Sequence, residues 1–413
     1  MMNLERLEKL FNTFNSYTDS GEGINRIAYT SMETSAKHSL MRLCMSKNMT
    51  VRMDEIGNVI ARKEGKNPLL PAIAIGSHLD SVYNGGKYDG LAGVIAGIEV
   101  VTMLEEENIL LEHPLEIISF ACEESSRFGV STIGSKVMTG SINANELRRL
   151  KDANQISFER AIEIQNLSLE NLELAHRWPE EFKAFIELHI EQGPVLDYEG
   201  LDIGVVQAIA APIRFEVNLY GQAAHSGTTP MHYRKDALVG ASELILNLES
   251  LALKESVYGT VATVGVQNVK PGGMNIVPGE VFMLVDIRGI DMDSRKRVVD
   301  GLYDSIELLK KRRNLEIQVE KISEEKSVLM DSTIIDKLAS VCEKLEYKHI
   351  KLSSGAGHDA MYMSKLTPTG MVFVPSHLGI SHNPAEHTTM EQIWKVINVL
   401  KNCVIMIDRE EIK

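Results

Sequence analysis

The chain has 413 residues and a formal net charge of −14, with 44% hydrophobic and 24% charged residues. This length exceeds one ordinary hydrophobic core and predicts two or three domains, while the composition is that of a globular protein. The negative charge and the lack of a long basic run exclude nucleic acid and anionic membranes as main partners, because both are bound through basic patches.

The first predicted element is an amphipathic surface helix within residues 1–17. Leucine and phenylalanine recur there at helical spacing among charged residues, whereas a signal peptide would have an unbroken apolar stretch. No segment reaches the roughly 18 apolar residues that a membrane span needs. The four cysteines are scattered and form no Cys-x-x-Cys pair, so we expect a protein of the reducing cytoplasm.

An apolar run over residues 69–75 predicts a buried strand, and a glycine-rich loop follows it. Apolar residues then recur at helical spacing over 91–104, which indicates the strand, loop and helix that begin an α/β fold. The loop contains His78, Asp80 and Asp89 beside a pair of glycines. On its own, such a loop is equally well explained as a solvated turn.

Two further buried strands are predicted over residues 115–122 and 183–190. The first stops at Glu123 and Glu124, and the second alternates apolar residues with polar ones that include His189. Open α/β sheets hold their functional sites at strand ends. These polar residues are therefore candidates for such a site.

From about Ile213 the order of predicted elements changes to β-α-β-β-α-β, which is the pattern of a ferredoxin-like split βαβ domain. Its strands are expected over 214–220, 260–269, 279–288 and 315–322, and its helices over 235–255 and 294–312. We expect this domain at 213–328, inserted into a discontinuous α/β domain at 1–212 and 329–413 that has a mixed sheet flanked by helices.

Six imidazoles and carboxylates lie at strand ends or in loops rich in Gly, Pro, Ser and Asn: His78, Asp89, Glu123, Glu124, His189 and His382. Each alone has an ordinary explanation as a solvated strand end or a turn residue. Together they supply nitrogen and oxygen donors without a thiolate. That ligand set suits Zn²⁺ or a similar divalent ion.

Two metal ions that share one carboxylate need five protein ligands, and five are available in His78, Asp89, Glu124, His189 and His382. Glu123 is then left over beside a ligand and is free to act as a general base on an activated water molecule. Asp80 lies two residues after His78, where it could accept the second ring N–H of that imidazole.

Eight motifs occur in the order that is typical of the M20-type metallo-amidohydrolases: GSHLDSVYNGGKYDG, ACEESSRFG, ELHIEQGPVL, GQAAHSGTTPM, GGMNIVPG, DIRG, SGAGHDAM and SHNPAEHT. The sequence resembles this family over nearly its whole length, and in particular the branch of N-carbamoyl-L-amino-acid hydrolases, allantoate amidohydrolases and β-ureidopropionases. The resemblance implies a two-domain subunit. It also implies a homodimer in which the inserted domain serves for dimerisation and as a lid.

The resemblance implies roles for the metal-site residues. His78 and His382 would be terminal ligands on different metals, and Asp89 would bridge the two ions. Glu124 and His189 would complete the two sites, with Glu123 as the base. The peptidase branch usually has an acid where His189 stands, which favours the amidohydrolase branch.

Residues outside the metal site also match family motifs. The resemblance implies that His225 polarises the scissile carbonyl, either in its own subunit or across the dimer, and that Asn275 and Arg288 bind the substrate carboxylate. The other substrate-side residues that it implies are Gln192, Gly357 and His358. A strand-end ion pair for Arg288, a turn for Asn275 and a loop position for His225 remain ordinary alternatives.

The function that the resemblance implies is hydrolysis of the ureido C–N bond of N-carbamoyl-L-amino acids by a pair of divalent ions, with release of amino acid, ammonia and CO2. Allantoate is the alternative substrate, which we rank second because the segment 210–213 is small and apolar. An M20-type aminopeptidase and a non-catalytic zinc-stabilised binding protein are further alternatives, although the second would not need Glu123. The metal could be Zn²⁺, Mn²⁺, Co²⁺ or Ni²⁺.

Overall fold

The computed structural model describes residues 3–410 and divides into two compact units. The larger unit comprises the residues up to Gln207 and those from Leu329 onward, and the smaller unit comprises Ala208–Val328. The first division lies five residues before the expected one, and the first long strand of the smaller unit also begins earlier than predicted, at Ala211 instead of Arg214.

Strands and α-helices are interspersed along the whole of the described chain. The strands are β1 (Thr50–Met53), β2 (Val59–Lys63), β3 (Ala72–His78), β4 (Leu115–Phe120), β5 (Phe182–Ile190), β6 (Ile203–Ile209), β7 (Ala211–Tyr220), β8 (Ala224–His225), β9 (Val261–Lys270), β10 (Ile276–Val277), β11 (Glu280–Gly289), β12 (Glu316–Glu324), β13 (Val328–Leu329), β14 (His349–Ser354) and β15 (Thr369–Val374). The helices are α1 (Leu4–Asn15), α2 (Ser31–Ser46), α3 (Leu91–Glu106), α4 (Ile133–Met138), α5 (Ala144–Leu147), α6 (Phe158–Glu163), α7 (Val195–Glu199), α8 (Ala237–Glu255), α9 (Met292–Arg313), α10 (Ser332–Lys344), α11 (Ala360–Met363) and α12 (Met390–Arg409).

Within residues 3–410, nine strands form one sheet in the order β1-β2-β4-β3-β5-β15-β6-β13, with β14 paired to β6. The neighbours β4, β3, β5 and β15 run parallel, whereas β2 and β6 run antiparallel to β4 and β15. Helices α3 and α12 pack on this sheet, and α4 and α11 also contact its strands. The predicted mixed sheet flanked by helices is confirmed.

The first buried strand differs from its predicted bounds. Strand β3 starts at Ala72, because Leu69 lies before Pro71 and its side chain is 93% exposed. The strand continues to His78, so this histidine is a strand residue and not a loop residue. Strand β5 is buried on both faces, since the sheet is covered on each side, and its polar Glu187 and His189 are therefore as inaccessible as its apolar residues.

The predicted N-terminal amphipathic helix is α1, and the side chain of Asn3 accepts a hydrogen bond from the backbone N–H of Arg6 at its start. Its apolar stripe is buried through Leu7, Phe11 and Phe14. Across residues 3–410, every helix is too short or too polar to cross a membrane.

The smaller unit contains a four-stranded antiparallel sheet in the order β12-β7-β11-β9. Helix α8 follows β7 in the chain and α9 follows β11, and each of these six elements lies within three residues of its predicted bounds. Alternate residues of β7 and β11 form a core with the inner faces of the two helices. The ribbon of β8 and β10 was not predicted, because two residues per strand are too few to show a period.

Candidate metal centre

Four parallel strands bring the predicted ligands to one edge of the large sheet. His78 is the last residue of β3, and His189 lies one residue before the end of β5. Glu123 and Glu124 follow β4, and His382 lies in the loop after β15. This is the carboxyl edge of the parallel strands, where α/β folds place their sites.

One set of donor atoms comes from His78, Asp89 and His189. Nε2 of His189 lies 3.2 Å from Oδ1 of Asp89, and Nε2 of His78 lies 3.5 Å from the same oxygen. The two imidazole rings stack with their centroids 5.8 Å apart. All three side chains are buried.

A second set uses the other oxygen of Asp89. Nε2 of His382 lies 3.3 Å from Oδ2 of Asp89 and 3.3 Å from Oε1 of Glu124. Oε2 of Glu123 lies 3.6 Å from Nε2 of His78, and donor atoms of His78, Glu123 and Glu124 form a further set. Asp89 thus presents one oxygen to each set, which is the arrangement that a shared carboxylate ligand requires.

Backbone carbonyl groups orient two of the imidazoles. Nδ1 of His78 lies 3.0 Å from the carbonyl oxygen of Asp80, and Nδ1 of His189 lies 2.9 Å from that of Ile190. A carbonyl oxygen only accepts hydrogen bonds, so in each neutral ring Nδ1 carries the proton. Each Nε2 therefore faces Asp89, to which it donates a hydrogen bond when the ring is charged, and it offers a lone pair to a cation when the ring is neutral, as metal-binding histidines do.

The side chain of Asp80 differs from its expected role. Its carboxylate is 3.6 Å from Nδ1 of His78, whereas it accepts hydrogen bonds from the backbone N–H groups of Glu123 at 3.2 Å and Glu124 at 3.0 Å. The reason is that these two N–H groups lie beyond the end of β4 and have no strand partner. Asp80 therefore fixes the pair of glutamates, and its carbonyl group fixes His78.

The donor geometry fits divalent metal ions. Imidazole lone pairs face carboxylate oxygens at 3.2–3.5 Å, an arrangement that is favourable only with a proton or a cation between them. Two ligands about 2.1 Å from a tetrahedral ion lie about 3.4 Å apart, which matches these separations. Nitrogen and oxygen donors without a thiolate suit Zn²⁺, Mn²⁺, Co²⁺ or Ni²⁺.

The cluster shifts the pKa values of its acids in opposite directions. Burial raises the pKa of Glu123, and repulsion from Glu124 adds to this, so the pKa lies well above its usual value despite the attraction of His78. Burial would also raise the pKa of Asp89, but its neighbouring imidazoles hold it well below the usual value.

Unusual backbone conformations aim the site residues. Cys122, Gln192 and His382 adopt left-handed φ values of 52°, 57° and 53°. Gly90 has a φ of 63°, and a Cβ atom there would lie 2.4 Å from the ring of His78. Such conformations cost energy for residues with side chains, and here they turn the chain where β4, β5 and β15 lead into the loops of the site.

Gln192 contacts the metal-site residues directly. Its Nε2 donates to Oδ2 of Asp89 at 2.8 Å and lies 3.3 Å from Nε2 of His382. Its Oε1 is buried without a hydrogen-bond partner. A bound ligand with an N–H group could satisfy this acceptor, which is consistent with the substrate-side role expected for Gln192.

The contacts of His358 differ from the substrate-side role that was expected for it. Its ring is buried and packs edge-on against His189 with centroids 4.6 Å apart, and its Nε2 lies 2.8 Å from Oγ of Ser354. Burial holds its pKa well below the usual value, so the ring is neutral. His358 therefore packs against His189, a predicted metal ligand. The neighbouring Gly357 has open space beside its Cα, where Sδ of Met361 is the nearest atom.

Sequence reasoning missed two buried acids beneath the site. Glu187 accepts hydrogen bonds from Oγ of Ser77 at 3.1 Å and from the backbone N–H of Ala360 at 2.9 Å. Asp359 accepts one from Oγ of Ser135 at 2.5 Å. Glu187 is expected on the same strand face as His189, because a strand places residues two apart on one face, but this alternation gave no reason to assign it a role.

A third acid, Glu386, was also missed. It is buried, and its carboxylate accepts hydrogen bonds from the backbone of the loop that carries Asp89. Burial and repulsion from Asp89 raise its pKa to about 7. The only signal in the sequence is an acid four residues after His382, and an ordinary turn explains that acid equally well.

In the smaller unit, the structure brings His225 and Asn275 onto one ribbon. His225 in β8 is the partner of Ile276 in β10, and the backbone N–H of Ser226 donates to the carbonyl oxygen of Asn275 at 2.9 Å. Nδ1 of His225 accepts a hydrogen bond from the N–H of Gly227 at 3.0 Å. In the neutral ring the proton is therefore on Nε2, which makes this exposed nitrogen a hydrogen-bond donor.

Arg288, in β11, already binds a carboxylate of its own unit. Its Nε and Nη2 donate to the two oxygens of Asp286 at 2.8 and 3.1 Å, and Nε of Arg214 donates to the same group at 2.9 Å. Arg288 thus has the two-pronged carboxylate contact for which a guanidinium is suited. The strand-end ion pair considered from the sequence is present.

Comparisons with known proteins identify the family. Residues 74–405 match the family described as peptidase family M20/M25/M40. An uncharacterised hydrolase of Haemophilus influenzae is 44% identical over 98% of each chain. An N-carbamoyl-L-amino-acid amidohydrolase of a Pseudomonas species is 39% identical over 93% of each chain. A ureidoglycolate hydrolase of Arabidopsis thaliana is 35% identical over 95% of this chain and 84% of its own.

The fold is similar to that of solved enzymes as well. The crystal structure of an amidase of the hydantoinase/carbamoylase family from Burkholderia multivorans superposes with a TM-score of 0.92, at 32% identity and over 99% of both chains. These similarities cover both units of the chain.

Proposed function

The chain belongs to peptidase family M20/M25/M40, and we propose that it is a binuclear metallohydrolase that cleaves the ureido C–N bond of N-carbamoyl-L-amino acids. That it is an amidohydrolase follows from the family and from its relatives. The single observation that supports the binuclear centre is the position of Asp89, whose two oxygens face two different sets of donors.

We assign five ligands to two divalent ions. His78 and His189 would bind one ion, Glu124 and His382 would bind the other, and Asp89 would be shared. Such ions supply Lewis-acid chemistry, because they lower the pKa of water toward about 7 and polarise the carbonyl group of a substrate.

Glu123 is the proposed general base. It lies among the ligands, and the hydrogen bond from its backbone N–H to Asp80 fixes its position. It takes a proton from the attacking water as a new C–O bond forms at the carbamoyl carbon. It then delivers this proton to the amine nitrogen as the C–N bond breaks. The carbamate that is released decomposes to ammonia and CO2.

His225 and two further residues of the smaller unit are assigned to the substrate. The Nε2–H of His225 would donate to the carbamoyl oxygen as negative charge develops there. Arg288 would bind the substrate carboxylate, exchanging part of its contact with Asp286, and Asn275 would add a hydrogen bond. A carboxylate close to the ureido group is therefore the expected substrate signature.

We also propose a homodimer formed through β9 and α8. Strand β9 is an exposed edge strand with no charged residue from Val261 to Val269, whereas the opposite edge strand β12 carries Glu316, Glu320 and Lys321. Uncharged edge strands pair readily with other strands, and charged ones resist pairing. Leu246 and Leu253 expose apolar surface on α8. A second copy that pairs along β9 would extend the sheet.

Allantoate is the second candidate substrate. It offers the same carboxylate and ureido group, but its second ureido arm would need polar partners, or be buried unpaired at a cost of about 1–3 kcal/mol per group. The unpaired Oε1 of Gln192 is one such partner, whereas residues 210–213 are apolar.

Ammonia release from a panel of substrates tests the proposal. The panel contains N-carbamoyl-L-methionine, N-carbamoyl-β-alanine and allantoate under one metal condition. A dipeptide, which has no ureido group and releases no ammonia, is assayed beside them by release of free amino acid. We expect the highest kcat/KM for N-carbamoyl-L-methionine. A kcat/KM for allantoate that is tenfold higher, equivalent to about 1.4 kcal/mol, would make allantoate the substrate and leave the proposed reaction unchanged. Cleavage of the dipeptide alone would refute ureido hydrolysis.

A further inference from the structure

Glu386 connects two loops that are far apart in the sequence. It lies in the loop after β15, and its Oε1 accepts hydrogen bonds from the backbone N–H groups of Tyr88 at 2.8 Å and of Asp89 at 3.1 Å. It is 4% exposed. One carboxylate oxygen thus fixes the backbone of the residue that we propose as the shared metal ligand.

The other oxygen of Glu386 acts through Ser381. Oγ of Ser381 lies 3.0 Å from Oε2 of Glu386 and 3.0 Å from Oδ2 of Asp89. Ser381 immediately precedes His382 in the chain. Glu386 therefore holds both the loop of Asp89 and the residue next to His382.

The packing around Glu386 leaves no room for a side chain at Gly86. A Cβ atom at Gly86 would lie 2.0 Å from the carboxyl carbon of Glu386. Since side chains essentially never approach so closely, a side chain at position 86 would have to displace this carboxylate. Contacts of this kind indicate a fixed position for Glu386.

The proposed ligands differ in how much support they need. His78 and His189 lie on buried strands, and backbone carbonyl groups orient their rings. His382 lies on a loop and its side chain is 48% exposed. The metal position that includes His382 therefore depends most on contacts from neighbouring loops.

We propose that Glu386 is a positioning residue that sets the metal affinity of the position formed by Asp89, Glu124 and His382. This inference rests on the proposed function, because it requires divalent ions at this edge of the sheet. Glu386 does not touch substrate. It holds two ligand-bearing loops at the separation that the ion needs.

Metal binding by substituted proteins tests this role without any activity assay. Each full-length variant is stripped of metal, titrated with Mn²⁺ in a calorimeter, and then analysed for bound metal. The ion at the position of Asp89, Glu124 and His382 is called the second ion here. In Glu386→Ala we expect this ion to bind about 10–100-fold more weakly, the usual effect of losing a group that supports a ligand. The ion that His78 and His189 would bind should lose less affinity, because Asp89 is its only ligand that Glu386 supports and backbone carbonyl groups hold its two histidines.

Two conservative variants separate position from charge. Glu386→Gln keeps an oxygen for the N–H groups of Tyr88 and Asp89, so it should bind both ions nearly as the wild type does. Glu386→Asp is one methylene too short to reach them and should resemble Glu386→Ala. If the Gln variant loses the second ion as the Ala variant does, the charge of Glu386 matters and its positioning role is refuted.

Independent variants keep the test informative if Glu386→Ala does not fold. Ser381→Ala should weaken the second ion about tenfold, and Gly86→Ala should do the same by displacing the Glu386 carboxylate. Glu391→Ala is the matched control, because this acid is exposed in the first turn of α12. Circular dichroism of the metal-free proteins checks folding. Unchanged binding of both ions in Ser381→Ala and Gly86→Ala would overturn the inference.

Titration of the wild-type protein separates failure of the proposed function from failure of the role of Glu386. If the wild type binds no divalent ion, the proposed function fails and this inference fails with it. If the wild type binds two ions and Glu386→Ala binds two with the same affinities, only the role of Glu386 fails.

Discussion

The two groups of candidate functional residues differ in how the protein holds them. At the carboxyl edge of the large sheet, buried imidazoles are oriented by backbone carbonyl groups, and Asp80 fixes the adjacent glutamates. In the smaller unit, His225 lies exposed on a two-stranded ribbon and Arg288 binds a partly exposed acid. The proposed metal ligands are therefore held by buried strand ends and by hydrogen-bonded loops, whereas substrate recognition is assigned to surface groups whose contacts a substrate can replace.

This difference makes the two regions separable by substitution. Changes at the sheet edge should alter metal binding or proton transfer. Changes in the smaller unit should alter turnover or substrate binding and leave the metals in place, because the proposed metal ligands all come from the larger unit. The largest effect on turnover is expected at the pair of glutamates that follow β4.

Substitutions of Glu123 and Glu124 should affect different properties, turnover in the first case and metal binding in the second. Glu123→Gln should lower kcat by about 10²–10⁴-fold, the range for general acid–base catalysis, with bound metal unchanged. Glu124→Gln should instead lose metal, because its oxygen is a proposed ligand. Elemental analysis beside steady-state kinetics measures both. If Glu123→Gln loses metal and Glu124→Gln keeps it, the two roles are reversed.

His225→Ala should reduce kcat by about 10²-fold, the effect of removing one donor to a developing oxyanion. KM and metal content should change little, because this contact forms mainly in the transition state. His232→Ala is the control, since His232 is an exposed histidine of the same unit. Equal kinetics for the wild type and His225→Ala would exclude this histidine from catalysis.

Arg288→Ala should lower kcat/KM about tenfold or more for every carboxylate substrate, because a hydrogen bond to a charged group contributes about 1.5–3 kcal/mol. Arg214→Ala serves as the comparison, since Arg214 binds the same carboxylate of Asp286 but has no assigned role toward the substrate. Kinetics with an N-carbamoyl amino acid and its uncharged amide measure the effect. A loss as large for the amide would contradict a carboxylate contact.

Substitutions at the proposed dimer interface should have the smallest effect on the metal centre. Leu246→Glu puts a charge on an α8 side chain that is 64% exposed, and it should shift the protein from dimer to monomer in light scattering. Metal content should be unchanged. Leu308→Glu, on α9 and 55% exposed, should leave the dimer intact. Identical masses for both variants and the wild type would place the interface elsewhere.

The sequence allowed us to predict which residues lie at the strand ends, but not which hydrogen bonds they make. Apolar runs located β3, β4 and β5, because a buried strand leaves a continuous local pattern. Six polar residues near those strand ends and in the His382 loop could therefore be assigned to one edge. The contact between Asp80 and the backbone of Glu123 could not be foreseen, since it joins two loops and leaves no mark in either segment.

The same reason explains why Glu386 was missed. Its partners at Tyr88 and Asp89 lie almost 300 residues away, so only the folded chain shows that they meet. The ion pair between Arg288 and Asp286 was easier to anticipate, because residues two apart share one face of a strand. Local patterns in the sequence therefore predict strands and their ends, but not tertiary hydrogen bonds between loops.

Metal reconstitution tests the central claim most directly. The wild-type protein is stripped of metal, checked by elemental analysis, and titrated with Mn²⁺ or Zn²⁺ while ammonia release from N-carbamoyl-L-methionine is measured. We expect no activity in the stripped protein and full activity only after two equivalents per chain have bound. Full activity in the stripped protein, or saturation of activity after one equivalent, would contradict a shared role for Asp89 between two catalytic ions.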